Sequence, residues 1–163
     1  MQIHDATIIN MLIESTTMTP ITDDQIKHIA SELQTGMLCY LNTKTGELLF
    51  VPNEDFIDDT TPWKDAYKKI EESYSYREIE RPDSRDQFTI MEDFAISLPD
   101  GKFKQDLFDI LDDEKPFRNF KKFIDRSDVR DDWYAFNNQK HLEWVIEEVR
   151  TILERRQDEQ QYP

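Results

Sequence analysis

The residues best placed to do chemistry lie between positions 116 and 136. On a helix opened by Pro116, Arg118, Lys121 and Lys122 stand at i, i+3 and i+4, and Arg126 follows four residues later. That spacing puts the four cations on one face, opposite Phe117, Phe120 and Ile124. A row of guanidinium and ammonium groups can dock an anion, such as a phosphate-bearing ligand, an RNA end or an acidic peptide. The competing reading is a solvated basic face neutralised by the chain's own carboxylates. Further on, Arg130 precedes Trp133, Tyr134 and Phe136. A guanidinium one turn before an indole would allow a cation–π contact between Arg130 and Trp133. The same rings suit a stacking platform or, at helical spacing, a core. The candidate binding residues are Arg118, Lys121, Lys122, Arg126, Arg130, Trp133 and Tyr134.

Other chemistry has less to work with. Glu92 and Asp93 are adjacent on a helix, so they diverge by about 100° and make no ready acid–base dyad. One of them is expected to meet an Arg in a structural ion pair. An enzymatic alternative would need a pocket enclosing Glu92, Arg118, Arg130 and Trp133. His4, His28 and His141 are scattered and show no metal-binding spacing, so no metal or other cofactor is expected. Glu54, Asp55, Asp58 and Asp59 lack the calcium-loop pattern and its central Gly, and read as a solvated acidic loop. Pro82-Asp83 with Asp100-Gly101-Lys102 looks like a nuclease pattern, but here those residues flank a helix instead of neighbouring strands. No Gly-x-Ser-x-Gly elbow occurs.

Composition narrows the field further. The chain has 163 residues, with 35 acidic and 20 basic side chains and a net charge of −15. Residues 23–115 hold −12 of that charge, whereas 116–136 carry +1. The bulk field repels nucleic acid and anionic membrane, so neither is an expected general partner. Three glycines, far apart, cannot assemble a phosphate-cradling loop. The one cysteine, Cys39, sits in an apolar strand pattern and reads as a buried, inert thiol. With no secretory leader pattern and no long apolar run, a cytoplasmic location is expected.

These residues need elements to hold them. Thr22 and Gln25 have capping-box spacing, and Ile26, Ile29, Ala30 and Leu33 follow at helical intervals, so Thr22–Gln34 reads as a helix ended by Gly36. Met37–Leu41 and Glu47–Val51 read as a hairpin with Gly46 in its turn. Thr61-Pro62 should open a helix with Trp63, Ala66, Tyr67, Ile70 and Tyr74 on one face. Tyr76–Glu80 can add a third strand. Ser84 with Gln87 should cap the next helix, whose stripe is Phe88, Met91, Ala95 and Leu98. Lys102–Leu111 and a short helix from Pro116 follow. A final helix, capped by Ser127 and bent at Asn137-Asn138, should fray from Gln157. The expected fold is α+β: a small antiparallel sheet packed with five to six helices. Residues 1–21 read as an extension of uncertain structure, 22–156 as one domain and 157–163 as a frayed tail.

Four segments, in order, carry a family resemblance. They are Cys39–Leu48, Ile90-Met91-Glu92-Asp93-Phe94, Lys115-Pro116-Phe117-Arg118-Asn119-Phe120-Lys121 and Arg130-Asp131-Asp132-Trp133-Tyr134-Ala135-Phe136. Together they make the chain resemble the bacterial uncharacterised protein family 0158 over about residues 22–156. The resemblance implies one family unit across that span and brings no activity, cofactor or site with it. The functional expectation is a non-enzymatic cytoplasmic interaction or regulatory domain that meets a protein partner through the 116–136 surface. The alternative in another class is an acidic mimic of nucleic acid that occupies a nucleic-acid-binding protein.

Overall fold

The computed structural model describes residues 21–161; the extension expected for residues 1–21 lies outside it, apart from Ile21. The elements are α1 (Asp23–Gln34), β1 (Leu38–Asn42), β2 (Leu48–Val51), α2 (Lys64–Glu72), β3 (Tyr76–Ile79), α3 (Ser84–Ser97), α4 (Lys102–Leu111), α5 (Pro116–Ile124) and α6 (Arg130–Gln161). The fold is α+β, as expected. The chain divides into two compact units. Of the described residues, one takes 21–81 together with 142–161, and the other is Pro82–His141.

The first unit is built on an antiparallel sheet of order β2-β1-β3. Cys39 pairs with Phe50 on one side and Ile79 on the other. Alternation along β1 sends Cys39 and Leu41 into the core and Tyr40 to the opposite face. There they meet Ile29 and Leu33 of α1 and Val145, Val149 and Leu153 of α6. Burial, helped by Glu32 and Glu78, pushes the Cys39 thiol up to about 12, so it is inert at neutral pH. Thr22 Oγ1 accepts from the Gln25 amide at 3.2 Å, and Gln25 Oε1 accepts from the Thr22 amide at 2.9 Å, completing the expected capping box. Gly36, just past α1, has φ +91°, the left-handed geometry that ends a helix most easily with glycine.

The hairpin tip organises itself. Asn42 Oδ1 accepts from the amides of Lys44 at 2.9 Å and Thr45 at 3.1 Å. The Gly46 amide donates to Asn42 O at 2.8 Å. Glu47 receives Lys69 at 2.7 Å and the Tyr76 hydroxyl at 2.5 Å, and the Lys69 bond is the main reason its carboxyl is held below the ordinary value.

Two expectations need correction in this unit. Thr61–Trp63 is a 3-10 turn, and α2 starts only at Lys64. The Thr61 amide is already bonded to Asp59 Oδ1 at 2.9 Å, a local turn that delays the helix. Tyr74 is 97% exposed, because α2 stops at Glu72 and the residue falls outside the helical face assigned to it.

The second unit is helical, formed by α3, α4, α5 and the first turns of α6 around Met91, Phe94, Ala95, Leu107, Leu111, Phe120 and Ile124. Its first cap is Asp83 instead of Ser84. Asp83 Oδ1 accepts from the amides of Arg85 at 2.7 Å and Asp86 at 2.9 Å, and Asp86 Oδ2 accepts from the Asp83 amide at 3.0 Å. A charged acceptor at the positive end of the helix displaces the neutral hydroxyl one residue on. Ser127 also departs from its expected role. Its hydroxyl donates back to Ile124 O at 2.8 Å and closes α5, and α6 begins at Arg130. Asn137 and Asn138 do not interrupt α6, which runs to Gln161.

Candidate docking site

Pro116 opens α5 at no cost, since the first-turn amides of a helix have no intrahelical partner. Phe120 and Ile124 anchor α5 in the core. Phe117 does not join them: it is 44% exposed and only edges the Phe88 ring, at 6.4 Å. Phe123, on the other flank, is half-buried and lies 4.9 Å from the Phe103 ring. The apolar arc of α5 is therefore offset toward Phe123, and the cations fall on both sides of the polar face instead of forming one stripe.

Lys121 turns toward α6. It donates to Asp125 Oδ2 at 2.9 Å and lies 3.2 Å from the Tyr134 hydroxyl, which itself donates to Asp125 Oδ1 at 3.0 Å. Arg130 Nε comes within 3.7 Å of the same carboxylate, and its guanidinium sits 4.9 Å from the centre of the Tyr134 ring. The Lys121 bond, then the Tyr134 bond, hold the Asp125 carboxyl below its ordinary value, and the same Asp125 contact raises Lys121. This is a clasp between α5 and α6. The cation–π partner of Arg130 is thus Tyr134, four residues on, and not Trp133. The indole is spent elsewhere: it meets Phe94 edge-on at 5.2 Å and Phe120 at 4.8 Å. Of the acidic pair on α3, Asp93 makes the ion pair, with Lys140 at 3.5 Å, where an Arg was expected.

Lys122 and Arg126 turn the other way. Both are exposed and both edge a cleft of about 860 Å³ whose walls include Leu98, Gly101, Phe103, Ile110, Phe123 and Val129. Neither cation is ion-paired among the described residues, and neither is Arg118, which lies outside the cleft. The far wall is the turn between α3 and α4. Lys104 Nζ donates to Ile96 O, Leu98 O and Asp100 Oδ1, each at 3.1 Å, and so ties the last carbonyls of α3 to the start of α4. Gly101 takes φ +157°, and an added Cβ there would meet nothing within 4 Å, so the backbone and not crowding demands glycine. Asn119 and Asp128 complete the polar edge, with Asn119 Nδ2 donating to Asp113 Oδ2 at 2.8 Å.

Residue spacing marks Lys122 and Arg126 but not the cleft that they edge. The usable signal was that Phe103 and Phe123 each sit at the margin of a helical apolar arc, where a ring is only half covered. Neither this cleft nor a smaller pocket around Arg77, Glu148 and Arg155 is lined by Glu92, Arg118, Arg130 or Trp133. Among the described residues, no group of three or more His, Cys, Asp or Glu side chains is placed to hold a metal. No described helix is long and apolar enough to cross a membrane.

A family model described as Uncharacterised protein family (UPF0158) matches residues 19–157. The chain belongs to UPF0158. No curated protein and no solved structure matches it. The span of the UPF0158 match takes in the whole of the second unit, with the clasp and the cleft, and most of the described part of the first.

Proposed function

We propose that this UPF0158 protein is a non-enzymatic interaction domain that docks an acidic, apolar-anchored segment of a partner protein in the Leu98–Val129 cleft. The observation that supports this reading is the state of the cations. In a chain of charge −15, Lys121 and Arg130 are paired with Asp125, and Arg130 also with Asp131, while Lys122 and Arg126, beside half-buried Phe103 and Phe123, form no ion pair among the described residues. Apolar burial would supply most of the affinity, and the two cations would set orientation and favour acidic partners. A bare phosphate is a poorer match, since the cleft walls are mainly apolar. A cytoplasmic setting belongs to the same proposal, because a single buried thiol needs no oxidising compartment.

Affinity capture from the native host, followed by mass spectrometry, tests it with three baits: wild type, Lys122→Glu/Arg126→Glu and Lys121→Glu. The double reversal is expected to lose a partner that the clasp variant keeps. Identical partner sets for all three baits would sink the reading.

A further inference from the structure

We infer that, when no other partner holds it, the cleft receives the acidic loop of a second copy of this chain. This rests on the cleft being a docking site, and adds a self-association that competes with the partner. Two independent surface features carry it.

The first is the cleft, with an apolar floor of Phe103, Ile110 and Phe123 and unpaired Lys122 and Arg126 at its edge. The second is the loop between β2 and α2. There the chain makes a short 3-10 turn, Glu54–Phe56, and leaves Phe56 80% exposed. Four carboxylates flank that ring: Glu54, Asp55, Asp58 and Asp59. None of them is ion-paired among the described residues. The loop is shaped in advance. Asn53 Oδ1 accepts from the Asp55 amide at 3.0 Å, and Asp59 Oδ1 accepts from the Thr61 amide at 2.9 Å. A preformed turn loses less conformational entropy on binding than a floppy one.

The two features match in kind. One offers a solvated aromatic ring between carboxylates, and the other an apolar floor beside Lys122 and Arg126, which form no ion pair among the described residues although Asp100 and Asp128 also line the cleft. Burying the ring drives the contact, and the charge pairs orient it. Each contact joins unlike surfaces, the loop of one copy and the cleft of the other. A small interface between two strongly acidic chains binds weakly, which suits a contact that a partner displaces.

Sedimentation velocity on the full chain, from micromolar to millimolar concentration, tests the inference. The average mass of the wild type should rise with concentration. Phe56→Ala and Lys122→Glu/Arg126→Glu should each weaken association by at least ~10-fold, as loss of an anchor does. All the substituted side chains are exposed, and circular dichroism will verify that both variants fold. Mixing the two variants should restore a heterodimer, because one keeps an intact cleft and the other an intact loop. A labelled peptide spanning Asn53–Asp59 should bind the wild type and not the cation reversal. A wild type that stays monomeric throughout, association that survives either variant, a mixture that fails to associate, or a peptide that ignores the reversal would each overturn the inference. Partner capture separates the two ideas. If the reversal changes the partner set while the wild type stays monomeric, the docking reading stands and self-association falls. If the partner set is unchanged, the docking reading falls.

Discussion

In the sheet-bearing unit the core side chains are aliphatic and small: Ile29, Leu41, Ile79, Val145 and Val149 are all essentially without exposure. In the helical unit much of the same work is done by rings, with Phe94 against Trp133 and Phe136, and Phe120 against Trp133. The polar surfaces differ in the sign of what they leave without an ion pair. The hairpin tip of the first unit bonds its own groups, with Glu47 shared by Lys69 and Tyr76, but its 54–59 loop leaves four carboxylates unpaired among the described residues. Among the same residues the second unit leaves Lys122 and Arg126 without ion pairs. Branched aliphatic side chains on a pleated strand fill space evenly. Large planar rings on short helices cover much area with few residues, but they leave rings such as Phe103 and Phe123 half covered at the margins. The cleft is the consequence of that second style of packing.

The largest expected effect tests the aromatic core. Phe120→Ala removes a ring that is 1% exposed and should cost about 3–5 kcal/mol in a urea titration followed by circular dichroism. A loss below about 1 kcal/mol would break the contrast, since the rings would then not be what holds the helical unit. Next is the α3–α4 turn that walls the cleft. Gly101→Ala should cost about 2 kcal/mol through backbone strain alone, since an added Cβ would meet open space. An unchanged urea midpoint would show that the backbone there does not demand glycine.

Alkaline titration probes the sheet-bearing core. The folded Cys39 thiol titrates near 12, well above the ordinary 9.0 that it regains on unfolding. Below pH 9 both states keep the proton and stability is unaffected. Between 9 and about 12 the unfolded chain ionises and the folded one does not, so stability falls as pH rises. The slope from this group is about 1.4 kcal/mol per pH unit. Cys39→Ala should flatten the alkaline limb of the urea midpoint against pH by that amount. An unchanged limb would mean that the thiol is not sealed in the core. The smallest effect is a cap. Thr22→Ala should cost about 1 kcal/mol and increase hydrogen exchange only in the first turn of α1.

Much of the fold was legible because it rests on contacts within a few residues. Thr22 with Gln25, Asn42 with Gly46, and the buried Ile26, Ile29, Ala30 and Leu33 of α1 are all close in sequence, and each was placed correctly. The errors share a cause. Ser84 lost its cap to Asp83, Thr61 was held by Asp59, and Ser127 bonded backward to Ile124. In each case a hydrogen bond to a residue one to three positions earlier took the place of the expected cap, and the spacing of residues does not rank such alternatives. The site was less legible. Arg130 could meet either Trp133 or Tyr134 on the same helix, and the choice followed from α3 and α5 claiming the indole through Phe94 and Phe120.

Residue types and their spacing were enough to determine an acidic α+β chain, its helix and hairpin positions, an inert cysteine and a charge-inverted segment at 116–136. Those properties follow from short-range hydrogen bonds, side-chain periodicity and a count of charges. Tertiary structure alone decided which of the cations in that segment remain available. Asp125 can satisfy only the groups that reach it, and the packing of α5 against α6 delivers Lys121, Tyr134 and Arg130 to it while turning Lys122 and Arg126 toward the cleft. A face that looks continuous along one helix is divided because α6 meets it on one side and the cleft lies on the other.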